Sequence, residues 1–151
     1  MADNRNVVKY KGVRAERETF IIDNSTITFD ATKAGGSAVV GRAVTLSGNG
    51  TVALTVDGDT VLGRLVQVFA DNKASVQVSG YCELPGGNGA TVTAGSKIVG
   101  ALGAASAKGY IKNCGSAGAS PSQAEVNAIL AARHQIIDAA TATKVVVLLD
   151  G

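Results

Sequence analysis

The chain has 151 residues, enough for one domain, and its composition is 46% hydrophobic but only 4% aromatic, with 19 glycines. Such a composition favours strands and tight turns, and the net charge of +2 is too small to indicate nucleic-acid binding by itself. The sequence has neither the roughly 20 continuous apolar residues of a membrane span nor the apolar core of a signal peptide. We therefore expect a protein that is made in the cytoplasm and stays there until it meets its partner.

Residues 1–18 predict an extended N-terminal arm that precedes a core domain of residues 19–151. The arm mixes charged and small apolar residues without a clear period, and it holds five basic residues against three acidic ones. It has too little apolar surface to fold alone, but an extended segment can add as a strand to the sheet edge of a partner. The side chains predicted to bind an adjacent subunit are Val7, Val8, Tyr10, Val13, Arg14 and Arg17. An idle tail is the alternative.

The first part of the core predicts short strands separated by turns. Residues 19–30 predict two short strands around Asp23, and residues 38–47 predict another strand after a loop with paired glycines. Residues 48–50 predict a hairpin turn, which leads into a strand at residues 51–56. This part of the chain is therefore expected to be a series of antiparallel strands.

The longest regular pattern, residues 60–85, predicts a β-hairpin around which the rest of the chain is organised. Apolar and polar residues alternate in both arms, which is the period of half-buried strands. Asp71 and Asn72 supply the turn, because both side chains bond their own backbone and tolerate left-handed φ values. We expect Leu65 and Val78 to face the core.

Beyond residue 85 the chain is rich in glycine, and only residues 97–102 and 109–112 resemble strands. Their apolar residues are sparse, which favours edge strands or ordered loops. Residues 121–133 predict the one helix, with Ser120 as N-cap, proline at the first helical position and Gln123 completing a capping box.

Helical spacing places four residues on one face of that helix: Val126, Ile129, Leu130 and Arg133. After the helix, HQIIDA and TKVVVLLD predict two closing strands, the second apolar enough to be buried on both faces. Together the elements predict a mainly β fold: a compact antiparallel barrel or sandwich with one short helix and the extended N-terminal arm.

Two short motifs are similar to known functional loops but lack a necessary feature. Lys73 lies at a hairpin tip, as the modified lysine of lipoyl carrier domains does, but those domains place it directly after the aspartate, and here Asn72 intervenes. Residues 89–97 lack the lysine that directly follows the last glycine of a phosphate loop. We interpret both motifs as ordinary turns.

The remaining reactive side chains do not form a catalytic, cofactor or metal constellation. His134 is the only histidine, so it has no histidine partner for a metal, and we interpret it as structural. Asp57 and Asp59 are too few for a calcium site. Cys82 and Cys114 have neither metal spacing nor a secretory context, so we predict two free thiols.

One resemblance suggests a function. The run from GRAVTLSGNG to YCELP, followed by GSKIVGALG, GYIK and the terminal TKVVVLLDG, resembles the head decoration, or cement, proteins of tailed bacteriophages. It extends over residues 38–151 in organisation. It implies a virion protein, usually a homotrimer, that binds the major capsid protein on the outer surface of the expanded head and stabilises the shell.

The same resemblance implies no enzymatic activity, and from the sequence we expect no cofactor and neither a membrane nor a specific nucleic acid as partner. Two other interpretations remain open. The chain is alternatively a small β-barrel carrier or ligand-binding domain, or another virion part such as a tail or fibre subunit. Intact mass distinguishes a modified carrier, and an oligomeric mass favours a shell component.

Overall fold

The computed structural model describes residues 15–115, 118–141 and 143–150, and within them the fold is mainly β, as predicted. Its regular elements are β1 (Glu16–Ile22), β2 (Ala43–Gly48), β3 (Thr51–Leu54), β4 (Gly63–Val68), β5 (Lys73–Leu84), β6 (Ile98–Ala101), β7 (Tyr110–Asn113), α1 (Gln123–Ala131), β8 (Gln135–Thr141) and β9 (Lys144–Leu149). Two short 3₁₀ turns, Ala34–Gly36 and Ala104–Ser106, lie in the loops.

Five strands close into a β-barrel in the order β1, β3, β2, β4, β5, and β5 pairs back with β1. The pairs are antiparallel except for β1 with β3, which run parallel. The barrel core consists of buried aliphatic side chains, namely Ile22, Ile27, Val44, Val52, Leu54, Leu65, Val68, Ala74 and Val76. Of the two predicted arrangements, barrel and sandwich, the structure is the closed barrel with additional strands.

The predicted central hairpin is confirmed as β4 and β5. Its turn contains Asn72 at φ 60°, the left-handed conformation that asparagine tolerates. Leu65 is fully buried, whereas Val78 is half-buried at one end of the barrel.

A second core lies outside the barrel, because β5 extends beyond it. After Gly80, whose φ of 89° suits glycine, β5 pairs with β9, and β9 pairs with β8. β6 and β7 form a separate two-stranded sheet. The second core contains Ala43, Val61, Cys82, Leu84, Ile98, Ile111, Ile136, Val145, Val147 and Leu149.

The prediction of edge strands is confirmed, because β6 and β7 pair with each other in a two-stranded sheet, but these edges are covered rather than exposed. All four residues of β6 are buried. Loops also satisfy backbone groups of these strands: the amide of Gly100 donates to the carbonyl of Asp59 at 2.7 Å, and the amide of Ile111 donates to that of Pro85 at 3.0 Å. Small residues allow this approach, since a Cβ on Gly100 would lie 2.2 Å from a neighbouring carbonyl oxygen.

One predicted strand and the first half of another are turns instead. The carboxylate of Asp23 accepts hydrogen bonds from the amides of Thr26 and Ile27, both at 2.9 Å, and Asn24 adopts φ 56°, so the chain turns rather than extends after β1. Residues 38–42 also form turns, with Gly41 at φ 93°, and β2 begins only at Ala43.

The helix is confirmed, but its predicted start is two residues too early. Ser122, not Ser120, is the N-cap: its hydroxyl accepts the amide of Glu125 at 3.2 Å, and the Glu125 carboxylate accepts the amide of Ser122 at 2.7 Å. The negative charge of Glu125 also interacts favourably with the positive end of the helix dipole. In a capping box started by Ser120 the third residue would be Gln123, which is neutral and lacks this interaction. No residue of α1 is buried, so its predicted apolar face does not enter a core.

Candidate interaction site

The two ends of the barrel differ. At one end, called the barrel mouth, β1, β3 and β4 begin, β2 ends and β5 leaves the barrel. The opposite end, the covered end, receives the turn after β1, where Ile27 is fully buried in the barrel core. The hydroxyl of Thr26 fixes this turn by accepting the amide of Leu54 at 2.9 Å.

An open groove of about 730 Å³ lies at the barrel mouth. Its apolar lining from the barrel and the helix, called the floor, consists of Phe20, Leu46, Leu62, Val78 and Leu130. Two of these side chains are unusually exposed for leucine, Leu46 at 53% and Leu130 at 76%. An exposed apolar concavity of this kind is typical of a surface that binds a partner.

The rim of the groove is predominantly acidic. Glu18, Asp59 and Asp150 contribute carboxylates, and Arg133 contributes the one guanidinium among the described lining residues. One carboxylate oxygen of Asp59 accepts the amide of Val56 at 2.8 Å. No salt bridge to a described basic residue neutralises the three carboxylates. The groove therefore combines an apolar floor with net negative charge.

His134 holds the groove wall together from inside. Its Nδ1 accepts the backbone amide of Asp150 at 3.0 Å, so the proton is on Nε2, which donates to the carbonyl of Val61 at 2.8 Å. The ring is 4% exposed, and burial lowers its pKa, against smaller opposing effects of the hydrogen bonds. The side chain is thus a neutral cross-link between β8, the chain after β9 and the segment before β4, which agrees with a structural role.

A second apolar surface, called the covered-end patch, consists of Ile21, Phe29 and Phe69. Their exposed fractions are 52%, 39% and 37%. All three lie near the β4–β5 turn: Ile21 is paired with Lys73, the Phe69 amide donates to the Lys73 carbonyl at 2.8 Å, and Phe29 lies beside Gly36, which abuts the carbonyl of Val68. The patch is therefore distinct from the groove, whose lining includes none of the three residues.

The predicted arm is only partly within the described residues. Arg17 is an exposed residue of β1 and pairs with Gln77, so residues 16–18 belong to the barrel rather than to the arm. Val7, Val8, Tyr10, Val13 and Arg14 lie outside the described residues. Glu18 nevertheless shows where the arm joins: the start of β1 lies along the groove at the barrel mouth.

The other reactive side chains have ordinary surroundings. Lys73 is exposed and forms an ion pair with Asp71 at 3.1 Å. Asp57 forms an ion pair with Lys112 at 2.6 Å. Burial raises the pKa of the Cys82 thiol to about 12, and Cys82 and Cys114 are both free.

Within residues 15–115, 118–141 and 143–150 there is no group of three or more histidine, cysteine, aspartate or glutamate side chains that could hold a metal ion. None of the helices in this part of the chain combines the length and apolar character needed to cross a bilayer. Comparison with models of known protein families, with curated proteins and with solved structures finds no match.

Sequence patterns did not reveal the groove, because its walls come from segments far apart in the chain. Leu46 follows the inward phase of β2 and Leu130 lies on the apolar face of α1, and both patterns are also those of ordinary core residues. One sequence feature could have indicated the groove. An inward-facing residue near the end of a barrel strand lies beyond the packed core, so its side chain is left exposed at the opening. Neither residue could be assigned to a groove without the long-range pairing.

Proposed function

We propose that the protein is a structural virion component, a capsid decoration protein that binds the outer surface of the expanded phage head as a homotrimer and stabilises it. The partner is the major capsid protein. The function needs protein-binding surfaces on a stable scaffold rather than an enclosed reaction site, since affinity arises from many copies and a large shared area.

The observation that supports the proposal best is the covered-end patch. Three large apolar side chains, Ile21, Phe29 and Phe69, are exposed together at one end of a closed barrel. Aromatic residues are few in this sequence, and aromatic side chains are enriched where protein interfaces have their strongest contacts. We assign this patch to the capsid. The resemblance of residues 38–151 to phage decoration proteins supports the choice of partner.

The direct test is to mix the purified protein with expanded and unexpanded heads assembled from a phage major capsid protein, and to measure the protein that pellets with each. We expect it to coat expanded heads. Phe69→Ser and Phe29→Ser should each weaken coating at least about tenfold, because interface energy is concentrated in a few such side chains.

Val56→Ser is the matched control, because Val56 is also an exposed apolar residue at 36% and lies outside the patch. It should coat heads as the unmodified protein does. Binding to neither form of the head would contradict the function. Normal coating by both phenylalanine variants would show that another surface faces the capsid.

A small-molecule-binding barrel is the second candidate, because the groove at the barrel mouth has a volume of about 730 Å³ and an apolar floor. In that case a fluorescent apolar probe should bind with one site per chain, and Leu62→Gln should abolish the signal. Probe binding without any coating of heads would favour this candidate over decoration.

A further inference from the structure

The groove at the barrel mouth requires an occupant with two properties. Its floor exposes Leu46 and Leu130 to solvent, and its rim carries three carboxylates against the guanidinium of Arg133. An occupant should therefore present apolar side chains to the floor and positive charge to the rim. An extended peptide segment fits an open groove better than a compact domain surface does.

Residues 1–14 of this same chain have that composition. Their basic residues are Arg5, Lys9, Lys11 and Arg14, and the one acidic residue is Asp3. In an extended segment alternate side chains face opposite sides, so Val8 and Tyr10 share one face while Lys9 and Lys11 share the other. The segment thus has an apolar side that matches the floor and charges opposite in sign to those of the rim.

The course of β1 indicates which copy provides the segment. Followed backwards from Phe20 to Glu16, the strand runs out of the barrel past the groove, and Glu16 is paired with Ser79 where β5 leaves the barrel. To enter its own groove, the chain would have to reverse direction just before Glu16. Only eight residues separate Glu16 from Val8, and they span at most about 26–29 Å when extended, so the segment can reach a second groove only where that copy lies directly beside the barrel mouth of the first.

We propose that residues 7–14 of one copy bind in the barrel-mouth groove of a second copy, with Val8 and Tyr10 on Leu46 and Leu130 and the basic side chains at Glu18, Asp59 and Asp150. The contact joins two different surfaces, so it is head-to-tail, and repeated around a closed ring it links every copy to the next. The proposal concerns the protein alone and does not depend on capsid binding.

A complementation experiment tests the exchange directly with full-length protein. Leu130→Asp places a charge in the groove but not in a core, because the side chain is 76% exposed. Tyr10→Asp alters the segment and leaves the groove intact. In sedimentation experiments up to the highest soluble concentration, we expect the unmodified protein to associate and each variant to associate at least about tenfold more weakly. An equal mixture of the two should form heterodimers but no larger ring, since it offers one intact groove and one intact segment per pair.

Ile21→Asp is the control, because it changes a leucine-sized exposed side chain that is not part of the groove lining. It should associate normally even if it fails to coat heads, so that failure of this proposal and failure of the proposed function are distinguishable. The proposal is overturned if the unmodified protein stays monomeric at every concentration, if both groove and segment variants associate normally, or if their mixture recovers nothing.

A peptide experiment gives a second, independent measurement. A fluorescein-labelled peptide of residues 2–14 should raise its anisotropy on titration with the full-length protein, and the affinity should fall with added salt because opposite charges form part of the contact. Leu130→Asp should weaken this binding at least about tenfold, and Ile21→Asp should not. Equal peptide binding by both variants would place the segment elsewhere and overturn the proposal.

Discussion

At the scale of single residues, the buried side chains follow from alternation along the sequence, and their surroundings follow only from the fold. Leu65 could be assigned to the core because the polar and apolar residues of its strand alternate. Val78 has the same pattern but ends half-buried, because it lies where β5 leaves the barrel. Alternation therefore predicts on which face of the strand a side chain lies, but not how far that side chain is from the end of the barrel.

Leu65→Ala should therefore lower the free energy of unfolding by about 2–5 kcal/mol, through lost transfer energy and the cavity left in a closed barrel. Val78→Ala removes a smaller, half-buried side chain and should lower it by less than half as much. Urea titrations of the two variants measure both values. Equal losses would indicate that the barrel mouth is packed as tightly as its centre.

His134 should make stability depend on pH in a definite direction. Its pKa in the folded protein lies below the ordinary value near 6.5, because the buried ring is kept neutral. Above pH 6.5 neither the folded nor the unfolded chain binds the proton. As pH falls below 6.5, the unfolded chain binds it first, so the free energy of unfolding falls, until the folded-state pKa is reached.

Urea titrations between pH 7.5 and 4.5 should show this loss, with a slope of at most about 1.4 kcal/mol per pH unit. Asp23 and Asp30 have lowered pKa values, from hydrogen bonds that their carboxylates accept, and their contribution is lost only as pH falls below about 4. His134→Gln should be less stable at pH 7.5 but nearly flat down to pH 4.5. An equal slope in this variant would exclude the histidine as the source.

At the scale of elements, the sequence predicted the strands in which apolar and polar residues alternate regularly. It missed the places where a side chain hydrogen-bonds to the backbone and turns the chain despite that alternation. The strand expected after Asp23 is replaced by a turn, because that carboxylate captures nearby backbone amides. The helix start was ambiguous, since both Ser120 and Ser122 are followed three residues later by a residue that can complete a capping box.

The two serines allow a matched test of the helix start. Ser122→Ala removes the hydroxyl that accepts the Glu125 amide and should destabilise α1 by about 1 kcal/mol, which corresponds to about fivefold faster amide exchange in its first turns. Ser120→Ala should change nothing. Because α1 has no buried residue, neither variant should move the unfolding midpoint of the barrel. Hydrogen exchange followed by mass spectrometry distinguishes the two sites.

At the scale of the whole molecule, barrel closure could not be predicted from the sequence. β1 pairs with β5 some 55 residues later in the chain, and no local pattern specifies such a contact. The groove depends on the same closure, since it combines the start of β1, the end of β2 and the end of α1. Mainly β content was predictable, whereas the site that the strands create was not.

The course of β5 through both cores has a thermodynamic consequence. One strand contributes Val76 to the barrel core and Leu84 to the outer core, and Gly80 turns it from the first to the second. Neither core can lose this strand without exposing part of the other, so the two should melt as one cooperative unit. Scanning calorimetry should show a single peak whose calorimetric and van't Hoff enthalpies agree.

Gly80→Ala forces a residue with a Cβ into φ 89° and should lower the temperature of that single peak without splitting it. Two resolved peaks in either protein would show that the barrel and the outer sheet melt separately. A single peak would mean that the outer sheet does not unfold separately from the barrel. A copy bound to its partners would then lose its structure only when both cores unfold together.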